Sequence, residues 1–444
     1  MPKEIDNPVL SRSEFLNVAG SSKYPAAGWA LQKLGISKET LASGFEYRAG
    51  PEKQMYPYQT VLGYDLARDP ITGKSIVAWF DKGFYWTIMN LSSDGKPEGS
   101  CKYANVPDWK GKLPSAELVH LSNEDAYGLI MVGVKDLGMP AEFVLQKLDK
   151  EGNSLGAVTP LFEAGAQVDS CGAAYDTKRG QMLVIWKEDW ATGCQGKILD
   201  INGNVLGDIP QLPHAWQWNR LDKVSLTYNK VSDKYVLAWM ESASDQDISG
   251  KVAKLVEINP NGGFEGEPIV ITDKLVYGTS VYAHDGKTIV AWASKEDILG
   301  KPYKLQIGEL QNGKIISTCL VDTATQGAIA QPAITYDGEK YLVSYTKTVP
   351  ASGTFGMLSV SQIHSRVLGA NLTPLSGVIE HNLPILGDDR FISTPLATSG
   401  DNPFTVMCRF PDGKSESWLC ATDIVKTQIF KQYVPIISRP PSSK

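Results

Sequence analysis

Short β-favouring runs separated by polar turns recur in phase along most of the chain. The apolar stretches QMLVIW, YVLAW, TIVAW and YLVSY close on Trp186, Trp239, Trp292 and Tyr345, each 53 residues after the one before. An earlier copy, SIVAW, ends on Trp79. Between Trp79 and Trp186 one further copy fits, AYGLIMVG, with Gly133 in the aromatic's place. A divergent last copy spans residues 391–410 and puts Cys408 or Phe410 there. The count is seven.

Each copy reads as strand, turn, strand. In one of them LTY is followed by the polar stretch 229–233 and then by YVLAW, a second β-rich run. A third strand, GKVAKLVEI, and a fourth, around PIVIT, flank the turn NPNG. Equivalent tight turns fall at Asp94-Gly95, Asn202-Gly203 and Asn312-Gly313. One four-stranded sheet of this size cannot bury both faces, whereas stacking such sheets around an axis buries them all. The pattern therefore predicts an all-β fold, a seven-bladed β-propeller with four-stranded antiparallel blades, over residues 56–435. The tryptophans are expected to wedge between neighbouring blades. Residues 1–55, with one short helix at 28–34, are expected to cap the ring or pack along its edge, and 436–444 to form a tail. The last copy is completed either by a late strand near 428–434 or by an outer strand from the N-terminus.

The Tyr-Asp pairs at Tyr64-Asp65, Tyr175-Asp176 and Tyr336-Asp337, with Tyr228-Asn229, precede a Tyr-Leu-Val-x-Trp type of core. This combination resembles the blade repeats of bacterial extracellular or periplasmic β-propeller proteins, over about residues 58–428. The resemblance implies the fold and is silent on chemistry, because propellers host binding modules, scaffolds, lyases and hydrolases.

Charge removes some functions. A net charge of −6 with scattered Lys and Arg offers no basic stripe for a nucleic-acid backbone. No apolar run approaches the roughly 20 residues needed to cross a bilayer. The first residues lack the apolar core of a secretory leader. If a leader was removed the protein is secreted or periplasmic, and otherwise cytoplasmic. Six cysteines are too few for a disulfide scaffold. Cys408 and Cys420 flank a hairpin turn at Pro411-Asp412-Gly413 and are expected to face one another. Nucleotide, phosphate-loop, zinc-protease and nucleophile-elbow motifs are absent. The histidines at 120, 214, 284, 364 and 381 have no short metal-ligand spacing. No cofactor is indicated, although irregular carboxylate loops leave calcium open.

Candidate chemistry follows from position. In a propeller, the starts of the innermost strands and the loops between second and third strands open on one face, where distant repeats meet. The residue ahead of each innermost strand is Gln59, Glu117, Asp169, Asp222, Tyr277, Gln331 or Ser393. Neighbouring carboxylates there suit a cation or an acid–base pair, while the plain alternative is that they cap strand amides. Beyond the core aromatic of one copy lie Glu188 and Trp190. One linker alone reads His214-Ala-Trp216-Gln-Trp218-Asn-Arg220-Leu-Asp222. Tryptophans cover the apolar face of a sugar while Asp, Gln and Arg pair with its hydroxyls. Phe84-Tyr85-Trp86 is assigned mainly to strand packing. The leading expectation is a ligand-binding propeller that recognises a glycan or another polar ligand. The alternatives are a carbohydrate hydrolase or lyase, or a small-molecule cyclase or isomerase, with His214, Arg220, Asp169, Asp222 and Glu117 as its catalytic groups. A protein-interaction scaffold is the third class.

Overall fold

A computed structural model describes residues 45–428, apart from 57–60, 82–84, 105–106, 108, 110–114, 137–138, 166–167, 189–192, 211, 214–223, 245–246, 297–301, 351–358, 382–384, 387–395, 399–403 and 410–417. The structure is a β-propeller of antiparallel sheets. The innermost strands of its blades are Val61–Arg68, Ser115–Leu121, Val168–Asp176, Ser225–Asn229, Leu275–His284 and Ala328–Tyr336, for blades 1 to 6. From blade 1 through blade 6, each innermost strand lies beside that of the next blade around a central axis.

The expected count of seven blades is corrected. Six blades, not seven, are built each from one contiguous repeat. The last copy supplies only Leu396–Thr398, Phe404–Arg409 and Trp418–Gln428, and its outer edge is covered by Phe45–Tyr56 from the other end of the chain. That composite sheet lies between blades 6 and 1. The physical reason is the unpaired edge: a three-stranded remnant would expose a row of backbone donors and acceptors, and the N-terminal strand satisfies them. Of the two completions expected for the last copy, the structure shows the N-terminal one. The proposed helix at 28–34 and the tail 436–444 lie outside the described residues.

The wedge aromatics are equivalent, as their phase predicted. Trp186 stacks near Phe143 and Phe162 of blade 2, with ring centroids 5.2 and 4.9 Å away. Trp239 packs with Leu183, Ile185 and Ile198 of blade 3, and Trp292 with Val236, Ala238 and Leu255 of blade 4. Tyr345 does the same with Ile289 and Ile307 of blade 5. Each ring therefore fills the gap toward the preceding blade.

Blade 2 solves the same problem from outside the repeat. Gly133 leaves the wedge vacant, and the ring of Trp109, from the linker entering blade 2, occupies it. A β-carbon at Gly133 would overlap that ring. Trp109 Nε1 points toward Glu142 Oε2 at 3.5 Å. Gly133→Ala is therefore expected to destabilise the protein by about 1–3 kcal/mol through overpacking. Urea denaturation measures this, and an unchanged midpoint and slope would show that Trp109 does not fill the wedge.

The Asp or Asn after Tyr175, Tyr228 and Tyr336 caps the first hairpin of its blade. Asp176 Oδ1 accepts the amides of Lys178 (2.7 Å) and Arg179 (3.1 Å), Asn229 Oδ1 those of Val231 and Ser232, and Asp337 Oδ1 those of Glu339 and Lys340. Tyr64-Asp65 is not the equivalent pair. In blade 1 the cap is Asp69, which accepts the Ile71 amide at 2.8 Å, while Asp65 lies earlier in its strand and accepts the Leu118 amide of blade 2 at 2.6 Å. The expected facing of Cys408 and Cys420 is also corrected, since Cys408 is registered opposite Leu419 and Cys420 opposite Met407. A one-residue offset places the two positions on opposite faces of the sheet.

Candidate functional site

Two faces of the ring use their polar residues differently. On the far face, where the innermost strands end, side chains clasp neighbouring blades. Arg179 of blade 3 reaches both carboxylate oxygens of Asp233 in blade 4, at 2.6 and 2.7 Å, and also binds Asp176 at 3.0 Å. Those contacts hold the Asp233 carboxyl far below the ordinary carboxylate range. His284 of blade 5 stacks on Tyr336 of blade 6, with centroids 3.7 Å apart, and its Nε2 lies 2.5 Å from Tyr341 Oη. His120 lies 3.9 Å from Asp69. Burial keeps both imidazoles below their ordinary pKa.

The mouth face, where the innermost strands begin, is irregular instead. Register shifts interrupt pairing between Val61 and Gly63, Val168 and Ser170, Val276 and Thr279, and Ala330 and Ala333. Such bulges re-aim side chains at a rim. Four of the sequence-predicted positions fall here. Glu117, Asp169, Tyr277 and Gln331 occupy the mouth ends of four innermost strands, just inside the strands rather than ahead of them.

Blades 5 and 6 bring two of them together. Gly278, at φ +145°, sits so close to blade 6 that an added β-carbon would lie 2.7 Å from the Gln331 amide nitrogen. Gln331 itself has φ +52°. Every other described non-glycine residue with positive φ lies in a turn or bend, and only Gln331 lies within a strand. Its Oε1 accepts from Thr346 Oγ1 at 3.5 Å. Behind it, the Tyr277 and Tyr303 rings pack at 4.8 Å, and Lys295 Nζ lies 4.9 Å from the Tyr303 ring centroid. Burial, assisted by a hydrogen bond with Tyr277, pushes the Tyr303 phenol up to about 12.

Glu188 has another task. Its Oε1 accepts the Gly165 amide at 2.7 Å and Trp186 Nε1 at 3.3 Å, so this buried carboxylate ties the linker from blade 2 to blade 3. Of Phe84-Tyr85-Trp86, Phe84 lies outside the described residues, Trp86 is buried beside Phe80, and Tyr85 is 56% exposed and meets Tyr103 edge-on at 6.0 Å. Gln59, Trp190, His214, Trp216, Trp218, Arg220, Asp222 and Ser393 lie outside the described residues. Among the described residues no three His, Cys, Asp or Glu side chains converge as a metal site, and no helix is long and apolar enough to cross a membrane.

Sequence reasoning passed over Lys187. The residue after the wedge position is Phe80, Val134, Lys187, Met240, Ala293 and Thr346 in blades 1 to 6, and it is buried in all six. A charge appears there once. The repeat alignment carried that signal.

No family model matches the chain, and no curated protein matches it. Among solved structures it is similar to an oligogalacturonate lyase in complex with manganese, at 12% identity over 86% of this chain and 97% of that one, with a TM-score of 0.45. It is similar to the Cps50 (Swd1) β-propeller domain of Myceliophteria thermophila, at 10% identity over 84% and 99%, with a TM-score of 0.42. An α-L-arabinofuranosidase from Lactobacillus brevis is 11% identical over 58% and 91%, with a TM-score of 0.36. The likeness is one of propeller architecture alone.

Proposed function

We propose that the mouth face binds a polar, hydroxyl-rich ligand of the glycan type, with Gln331 and Tyr277 on the blade 5–6 side. The observation that carries this reading is Gln331. A non-glycine residue held at positive φ inside a strand costs on the order of 1–3 kcal/mol, and such strain gathers at functional sites. Here it coincides with a register shift at the mouth end of the innermost strand of blade 6, and the residue carries a neutral amide that can both donate and accept. Glu117 and Asp169, on adjacent blades, extend the same rim. A second reading places the active site of a carbohydrate lyase or hydrolase at this mouth, with those two carboxylates as the proton-transfer pair.

The test is a glycan and metabolite binding screen on the wild type, repeated on Gln331→Ala and Gln331→Gly. Alanine keeps the strained backbone and removes the amide, so affinity is expected to fall about tenfold. Glycine also relieves the strain, and is expected to lose the same affinity while gaining about 1 kcal/mol of stability. Affinity unchanged in both variants would remove Gln331 from the site. Mass spectrometry of bound compounds separates the two readings, because turnover belongs only to the enzyme.

A further inference from the structure

Lys187 lies at the mouth end of the second strand of blade 3 and is 3% exposed. Lysine is rarely buried to this degree, and its charge needs polar company. The register places Lys187 opposite Ser170 on one side and Cys194 on the other. All three thus share one face of the sheet. That face is the one on which Leu183 and Ile185 pack against blade 4. Glu188, one residue on, points the other way toward Gly165 and blade 2.

The row has a consistent destination. In blade 4 the equivalent Met240 packs on Val276, the second residue of the innermost strand of blade 5, and in blade 5 Ala293 packs with Ile329 of blade 6. Each is a neighbour of a rim position, Tyr277 in one case and Gln331 two residues on in the other. Lys187 occupies the corresponding register position opposite Ser170, on the strand whose Gly172 lies against Val224 at the start of blade 4. Burial pushes the neighbouring Cys194 thiol up to about 12, with Lys187 acting in the opposite direction. Ser170 adds a second, independent observation. Its side chain is buried, it follows the bulge at Asp169, and its Oγ has no hydrogen-bond partner among the described residues.

We propose that Lys187 and Ser170 anchor a carboxylate group of the ligand at the mouth, so that the ligand class is an acidic sugar or comparable polar carboxylate. This rests on the mouth-binding reading above. A lysine ammonium has three donors and can keep an internal partner while giving one to a ligand, and a serine hydroxyl adds a donor beside it. Charge-assisted hydrogen bonds to a carboxylate are stronger than neutral ones, more so in a partly dehydrated mouth. A residue that only filled space would be apolar here, as in blades 1, 2, 4 and 5.

The experiment uses matched probes, glucose with glucuronate and galactose with galacturonate, titrated calorimetrically into the full chain. The acid of at least one pair is expected to bind about tenfold or more tightly than its neutral partner. Lys187→Met, similar in length and without charge, is expected to abolish that preference, Lys187→Arg to retain part of it, and Ser170→Ala to weaken the acid several-fold. Melting curves establish that each variant is folded, and Ser170→Ala carries the test alone if Lys187→Met is not. Equal affinity within both pairs, with binding still weakened in Gln331→Ala, overturns the carboxylate anchor and leaves the mouth reading standing. Acid preference retained in Lys187→Met, or in Ser170→Ala where that variant stands alone, likewise overturns the anchor. Binding indifferent to Gln331→Ala, or absent for every probe at millimolar concentration, overturns both.

Discussion

Trp292→Ala is expected to cost about 3–5 kcal/mol of unfolding free energy. The indole is only 3% exposed and lies between blades 4 and 5, against Val236, Ala238, Leu255 and the partly buried Ile315. Removing it loses the transfer free energy of a large apolar group, and leaves a cavity that two rigid sheets cannot collapse to fill. Trp292 is a sharper probe than Trp239, which stands nearer the Lys187 wall and could change binding as well as packing. Its indole nitrogen is buried with no hydrogen-bond partner among the described residues, so the loss is almost purely one of packing. Trp292→Phe retains most of the volume and is expected to lose less than half as much. Guanidinium denaturation of both variants checks this. A loss below about 1 kcal/mol for the alanine variant would contradict the wedge role.

What the sequence disclosed depended on phase. The wedge residues were legible because an aromatic at a fixed interval reflects one packing problem repeated. Gly133 was legible as a gap, but Trp109 was not legible as its filler, because a linker residue has no fixed place in the repeat. Which of the two expected completions closes the ring was hidden for a different reason. Phe45–Tyr56 reads FEYRAGPEKQMY, a polar edge strand interrupted by Gly50-Pro51, and its partner Trp418–Gln428 lies at the far end of the chain. Strand pairing over such a distance leaves no local periodicity. This is also why counting copies gave seven where contiguous repeats build six blades.

The rim positions were visible through the same phase, yet their geometry was not. Bulges draw Asp169, Tyr277 and Gln331 inside their strands, and a bulge depends on backbone geometry more than on residue type. Glu188 was legible as a carboxylate near the mouth, and the Gly165 amide that occupies it was not. Lys187 was the opposite case, a departure from an apolar repeat position in the aligned copies that composition alone concealed. In a repeat protein, the residue that breaks a buried column is more informative than one that decorates a loop.

The closing seam is expected to be acid-labile. Between blade 6 and the composite sheet, Ser344 Oγ lies 2.8 Å from Ser365 Oγ and 2.7 Å from Thr405 Oγ1, and Ser365 Oγ lies 2.8 Å from His381 Nε2. All four residues are buried. His381 Nδ1 has no hydrogen-bond partner among the described residues. Leaving an acceptor nitrogen unpaired costs less than stranding a donor, so the neutral ring carries its proton on Nε2 and donates it to Ser365. Protonation of Nδ1 would place a charge in this core. Burial, with neighbouring His364 acting in the same direction, accordingly lowers His381 to about 3. Burial and the Lys347 charge lower His364 to about 4, against the opposing pull of Asp322. Both folded-state values lie below the ordinary histidine value near 6.5. The unfolded chain therefore binds protons first, and stability falls as pH drops from about 6.5 toward the folded-state values. Each histidine contributes a loss of about 3 kcal/mol by pH 4. Carboxylates titrate in the same window, so the comparison must be internal. His381→Gln keeps an amide able to pair with Ser365 and removes the titration, and urea midpoints measured from pH 7.5 to pH 4 should fall less steeply for it than for the wild type. Parallel slopes for the two proteins would show that His381 is not buried neutral at the seam.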